Sequence, residues 1–209
     1  MRSFLQNKKE ISDDKFDELA YLFLNKSILI INEKKYRICE IEFYLKNDDH
    51  NDKYTHCNDD QAKYGKFYFH KYGNGSYKGG TYKGMDITFG NENSHCGVLI
   101  RSIYNTDTKE FIEGPCRTVN KILEEYSIES INELTNNKLL SVLENEHDFC
   151  LKNAKMKEEI IYKGKRVGLS DKYPNFRNLN YRYLVKKNKI KKQKADLIKV
   201  GFTKKKENK

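Results

Sequence analysis

Apolar and polar positions alternate along this chain with two periods, and the switch between them predicts the elements. Ser12 can cap a first helix, with Asp13 and Asp14 well placed at its positive end. Phe16, Leu19, Ala20 and Phe23 follow at i, i+3, i+4 and i+7, the spacing of one buried helical stripe. Ser27–Ile31 is a short apolar strand, and residues 32–35 are polar enough to turn. In residues 37–45 the period becomes two: Cys39, Ile41, Phe43 and Leu45 share one face, Glu40, Glu42 and Tyr44 the other. Ile41 and Phe43 are therefore expected to be buried, with Glu42 and Tyr44 facing an open groove.

Residues 46–61 are polar and read as a long loop. Residues 66–72 alternate again, placing Tyr68, His70 and Tyr72 on one side. Five glycines fall in residues 73–84, consistent with tight turns or close backbone approach. Met85, Ile87 and Phe89 form an apolar strand face with Asp86 and Thr88 opposite. Residues 97–104 are apolar on both sides except at Arg101 and Ser102, as expected of a central strand. Gly114-Pro115 opens a helix whose buried side is Val119, Ile122, Leu123 and Tyr126. Ser130 and Glu133 form a capping box for a helix running toward Leu143. Residues 162–183 mix strand and loop. The pattern predicts one α+β domain, with a mostly antiparallel, curved central sheet and helices at both flanks.

Charge changes this picture at one end. Residues 151–209 hold 20 Lys and Arg against 5 Asp and Glu, whereas residues 1–150 hold 20 against 25. The chain is mildly acidic over residues 1–150 and basic at its end, an asymmetry that suggests a polyanion partner; the domain is expected over residues 1–185, followed by a Lys-rich tail (186–209). The tail is expected to be extended or poorly ordered when free. The five cysteines are odd in number and scattered, which suits a reducing compartment, nuclear or cytoplasmic. No apolar run approaches the roughly 20 residues of a membrane span, and the first residues lack the apolar stretch of a signal peptide.

Four strand segments each offer one ionisable side chain: Glu42, His70, Asp86 and Arg101. Neighbouring strands would bring them into one groove. Arg101, on an otherwise apolar strand, needs a buried carboxylate, with Glu42 or Asp86 as the candidates. A metal-assisted nuclease or phosphoesterase using His50, Asp52, His56, His70 and Asp86 is an alternative, although the spacing of His50, Asp52, His56 and Cys57 matches no structural zinc pattern. The glycines fit no phosphate-loop or dinucleotide motif. A non-catalytic binding module anchored by its lysines is the third reading.

Collinear short blocks add a resemblance. Arg37-Ile-Cys-Glu-Ile-Glu-Phe-Tyr44, Gly65-Lys-Phe-Tyr-Phe-His70, Met85-Asp-Ile-Thr88, Val98-Leu-Ile-Arg-Ser-Ile103, Gly114-Pro115, Arg166-Val-Gly168 and Tyr181-Arg-Tyr183 stand in the order of similar blocks in the alkyladenine (methylpurine) DNA glycosylases. The resemblance covers about residues 36–185. It implies that fold, a flipped base held between aromatic faces, Glu42 activating water for attack at C1′, Tyr44 stacking on the base, and Arg101 as the family's strand arginine. No metal or other cofactor is implied, and the expected partner of this monomer is DNA. Asp86 stands where the family has Asn. The stacking His has two counterparts, His50 and His56. The wedge Tyr aligns near Gly79, leaving Tyr77 or Tyr82 as substitutes. Asp86, His70 and Arg101 complete the catalytic candidates with Glu42; Tyr44, His56, Tyr68, Tyr82 and Lys83 are the substrate-binding candidates.

Overall fold

The computed structural model describes residues 12–138, 140–142 and 148–201. It is a single α+β domain built on one antiparallel sheet. The strands are β1 (Ser27–Ile31), β2 (Lys34–Lys46), β3 (Phe67–Phe69), β4 (Met85–Thr88), β5 (His95–Asn105), β6 (Phe111–Glu113), β7 (Phe149–Asn153), β8 (Tyr162–Gly164), β9 (Arg182–Leu184) and β10 (Ile198–Lys199). The main order is β10-β8-β9-β2-β5-β4-β3, with β1 joining β2 to β7 and β6 beside β5. The helices are α1 (Phe16–Asn25), α2 (Pro115–Glu125), α3 (Ile131–Asn137) and the single turn α4 (Pro174–Arg177). No helix among the described residues is long and apolar enough to cross a membrane.

The period-two reading holds over most of β2. Ile41, Phe43 and Leu45 are buried against α1, whose Phe16 stacks on Phe43 with ring centroids 4.2 Å apart. Phe16, Leu19, Ala20, Phe23 and Leu24 are all fully buried, and each of the larger side chains among them contributes about 1.5–3 kcal/mol by leaving water. At Cys39 the alternation breaks. Ile38 pairs with Ile103 and Glu40 with Ser102, then Ile41 with Ile100, so Cys39 and Arg101 are each left without an opposite residue. Both lie at this irregularity in the ladder, and such bulges re-aim side chains.

At the α2 entrance Gly114 has φ +108°, a conformation that strains any residue with a Cβ, and Pro115 takes the first helical position. In α3, Ser130 Oγ accepts from Glu133 N at 3.1 Å as the capping box requires, but the Glu133 carboxylate reaches back to Glu129 N. The helix ends at Asn137, short of the expected end; Leu143 lies outside the described residues. Ser12 does not cap through its side chain; its hydroxyl bonds Asp14, and Asp13–Lys15 form a 3-10 turn before α1.

The tail departs from expectation. Residues 186–201 form a folded strap rather than a loose end, and residues 202–209 lie outside the described residues. Arg182 donates to the carbonyls of Lys192 and Gln193 at 3.0 and 2.6 Å. Glu113 Oε1 accepts from both Lys191 N and Lys192 N. Ile198 and Lys199 pair with β8, and Ile190 and Val200 are buried. These two apolar anchors carry the domain past residue 185, while most of the lysines between them stay exposed.

Candidate functional site

The two faces of the sheet differ in chemistry. One is the apolar core; the other presents Glu40, Glu42 and Tyr44 from β2, Gly97, Leu99 and Arg101 from β5, and Asp86 from β4. Leu99 is paired with both Glu42 and Asp86, which places the two carboxylates on either side of one strand. The four residues expected to meet do share this face, but they sort into two groups.

The first group is sealed. Glu40 Oε1 accepts from Arg182 Nε at 2.7 Å and Arg101 Nε at 3.1 Å, and its other oxygen takes the Ser102 hydroxyl. Glu42 Oε1 accepts from Val167 N at 2.7 Å and lies 3.3 Å from Arg101 Nε, while Glu42 Oε2 takes the Tyr44 hydroxyl at 2.8 Å. Arg101 therefore has two carboxylate partners, and Asp86 is not one of them. Burial would lower its pKa, but the charges of Glu42 and Glu40 outweigh that and raise it, so the guanidinium stays charged. Glu42 is 0% exposed and does not face an open groove. Two donors, Val167 N and the Tyr44 hydroxyl, and the Arg101 charge hold it inward.

The second group is open. Asp86 Oδ1 meets His70 Nε2 at 2.8 Å and Asp86 Oδ2 accepts from Gln61 Nε2 at 2.9 Å. These three form the floor of a cavity of about 210 Å³ whose walls are Tyr44, Tyr54, His56 and Leu169. Burial tends to raise the Asp86 pKa, but His70, His56 and the Gln61 bond pull it below the ordinary value, so the carboxylate stays ionised at neutral pH. His56 meets His70 edge-on at 4.5 Å between ring centroids. Desolvation of its ring, with the neighbouring His70, pushes its pKa down to about 4. The fit depends on two glycines. A Cβ at Gly97 would come within 2.4 Å of Asp86 Oδ2 and 2.8 Å of Gln61 Nε2, and one at Gly84 within 2.6 Å of His70 Nδ1.

Tyr44 joins the groups, its hydroxyl on Glu42 and its ring on the cavity wall, with the Arg166 guanidinium 4.5 Å from the ring centroid. Several expected residues lie elsewhere. Tyr68 is buried at 2% exposure, with its ring beside His70 but not on the cavity. Tyr82 is 72% exposed on the turn Gly80–Tyr82, and Lys83 follows it outside the cavity. His50 packs on Phe176 and Tyr181, and Asp52 is locked to Arg166 with both side chains fully buried. The five residues of the metal alternative are thus divided between two places. Among the described residues no three His, Cys, Asp or Glu side chains are arranged to hold a metal ion.

Gln61, Tyr54 and Leu169 were not foreseen. Each sits in a loop or single turn, where no periodicity marks a residue as inward-facing. Beyond the cavity lies a hollow of about 440 Å³ with Lys165, Arg166 and Arg177 on its lining; it shares Leu169 with the cavity. It shares Ala195 with a groove of about 1090 Å³ bordered by Lys157, Lys186, Lys187 and Lys194. A path lined by basic residues thus runs from the strap to the cavity, with Arg166, Arg177 and Lys186 on it paired to Asp52, Asp171 and Glu159.

No family model matches the chain. An uncharacterised protein of Acanthamoeba polyphaga mimivirus is 45% identical over 206 residues, covering 92% of this chain and 95% of its own length. The chain belongs to the same family as that viral protein.

Proposed function

We propose that this protein binds nucleic acid, draws one unpaired base into the cavity beside Tyr44 and His56, and hydrolyses that base's N-glycosidic bond. The observation that carries this reading is the cavity: a single-ring-system volume, aromatic on its walls and polar on its floor, next to a buried carboxylate. At about 210 Å³ it is smaller than the roughly 300–1,000 Å³ of drug-sized ligand sites, which suits one base rather than a whole nucleotide. Aromatic walls hold a base by its faces, and a base must leave the stack before an enzyme can work on it. The basic path is suited to phosphates on either side of that base.

In this reading Glu42 is the general base. Arg101, Val167 N–H and the Tyr44 hydroxyl fix its orientation. Water attacks C1′, its proton passes to Glu42, and the C1′–N bond breaks with its electron pair leaving on the base. The glycosylase-like fold and the correspondence of Tyr44, Arg101 and Glu42 to that family's residues belong to the same proposal, as does DNA as the polymer.

The test is single-turnover release of damaged bases from duplex and single-stranded oligonucleotides, read as alkali-labile strand scission. Release by the wild type, independent of chelator, is expected. A second reading has its own observation: Glu42 is fully buried and already holds two donors and an arginine ion pair, as a purely structural carboxylate would. Binding without release on every substrate would favour that non-catalytic module.

A further inference from the structure

The groups lining the cavity are unequal in what they leave free. The Tyr44 hydroxyl is spent on Glu42 and the Tyr54 hydroxyl on the Ser170 carbonyl. His56 Nε2 lies 3.3 Å from Lys78 Nζ; an ammonium can only donate, so that nitrogen is an acceptor already in use. On the floor the balance is reversed. Gln61 is 1% exposed, and its Oε1 is a buried oxygen with no partner among the described residues. Its amide cannot be turned the other way, because the Asp86 carboxylate only accepts and therefore needs the Gln61 NH₂ group. Asp86 itself has lone pairs left after its bonds to Gln61 and His70. The floor thus carries more acceptor than donor capacity, and its fit requires that Gly97 have no Cβ. An unpaired buried acceptor is costly, and a ligand that brings a donor relieves the cost.

The geometry points to a cavity that selects a nucleobase carrying an exocyclic amino group, through Gln61 Oε1 and Asp86, over bases whose corresponding edge is a carbonyl. Adenine, cytosine and guanine each present an N–H₂ group. Thymine, uracil and hypoxanthine carry a carbonyl where the amino group stands, beside a ring N–H, and in the same pose would set that oxygen against the two acceptors. The ionised state of Asp86, favoured by its neighbours, adds repulsion in the second case. This inference rests on the proposed entry of a base into the cavity, and it makes Gln61 and Asp86 specificity determinants rather than catalytic residues.

The experiment measures the affinity of the full chain, by fluorescence anisotropy, for duplexes that differ only at one bulged nucleotide: adenine, cytosine, thymine, uracil, hypoxanthine or an abasic site. The amino-bearing bases should bind about tenfold or more tightly than the carbonyl-bearing ones, the scale of one buried acceptor left unpaired. Gln61→Met, close in shape but without the acceptor, should shrink that ratio to about threefold or less. Asp86→Asn, which puts a donor on the floor, should shift preference toward thymine, uracil and hypoxanthine, and serves if Gln61→Met fails to fold. Equal affinity for all five bases, each tighter than the abasic duplex, would overturn the selectivity and leave base entry standing. No difference between any base and the abasic site would overturn base entry itself.

Discussion

The sealed group around Glu40 and Glu42 and the open group around Asp86 lie on one sheet face, on either side of β5, and both are centred on buried carboxylates. They differ in how far their polar atoms are satisfied. Glu40 is bonded by two arginines and a serine, and Glu42 by an arginine, a backbone N–H and a tyrosine. Around Asp86 the buried Gln61 amide oxygen has no partner among the described residues, and Gln61 and Asp86 both line a cavity. A saturated network fixes a geometry, whereas an unsaturated one beside empty space is suited to a ligand. On this account Glu42 is held ready for one proton, and Asp86 with Gln61 reads the base.

Removing a charge from each group should separate them. Arg182→Leu should have the largest effect, because it leaves Glu40 with one guanidinium and frees the strap carbonyls of Lys192 and Gln193. A loss of about 3–5 kcal/mol is expected by urea denaturation, the usual cost of breaking a buried pair. By contrast Asp86→Asn should cost about 1–3 kcal/mol, since Asn keeps the shape and can still meet one neighbour, and its main effect should be on base preference. If the two variants are equally destabilised, the distinction between a structural and a ligand-facing group is lost.

The strap offers a milder test. Truncation at Val185 is the obvious way to remove the lysines, but it would also strip Ile190 and Val200 from the domain. Replacing Lys187, Lys189 and Lys194 by Gln leaves those anchors in place. Affinity for a duplex should fall, and the slope of log K against log salt should flatten by about 0.9 for each phosphate no longer neutralised. Base release at saturating protein should stay near the wild-type rate. An unchanged salt slope would show that the strap merely covers the sheet edge.

His56 gives the smallest effect, and its sign is fixed. Its folded pKa lies near 4 against 6.5 for the free side chain, so the unfolded chain takes up the proton first. Its contribution is intact above about pH 6.5 and is lost as the pH falls toward 4. Compared with wild type, His56→Gln should lose less stability on acidification across that window. Parallel pH curves for the two proteins would contradict the crowded, neutral His56.

Much of this arrangement was legible in the sequence, and the losses have physical reasons. The alternation in β2, β4 and β5 placed Glu42, Asp86 and Arg101 on polar positions of adjacent strands, because a period of two survives wherever one face is buried. Of the two carboxylates expected beside Arg101, Glu42 is there and Asp86 is not; the second partner, Glu40, was harder to foresee, since it comes in at the irregularity at Cys39 and Arg101. The strap was hidden by composition: eleven lysines in residues 186–209 mask the two apolar anchors and say nothing of Arg182 and Glu113, which lie earlier in the chain. Gln61, Tyr54 and Leu169 belong to irregular segments whose side-chain directions are set by tertiary packing alone.

The division of roles is tested most directly by the single-turnover rate of base release from Glu42→Gln, measured with the affinity of the same variant for its substrate. The change is isosteric and removes basicity alone. The account predicts a loss of about 100-fold or more in rate with affinity unchanged. Release at close to the wild-type rate would contradict it, because Glu42 would then be only another member of the saturated network that holds the sheet face together.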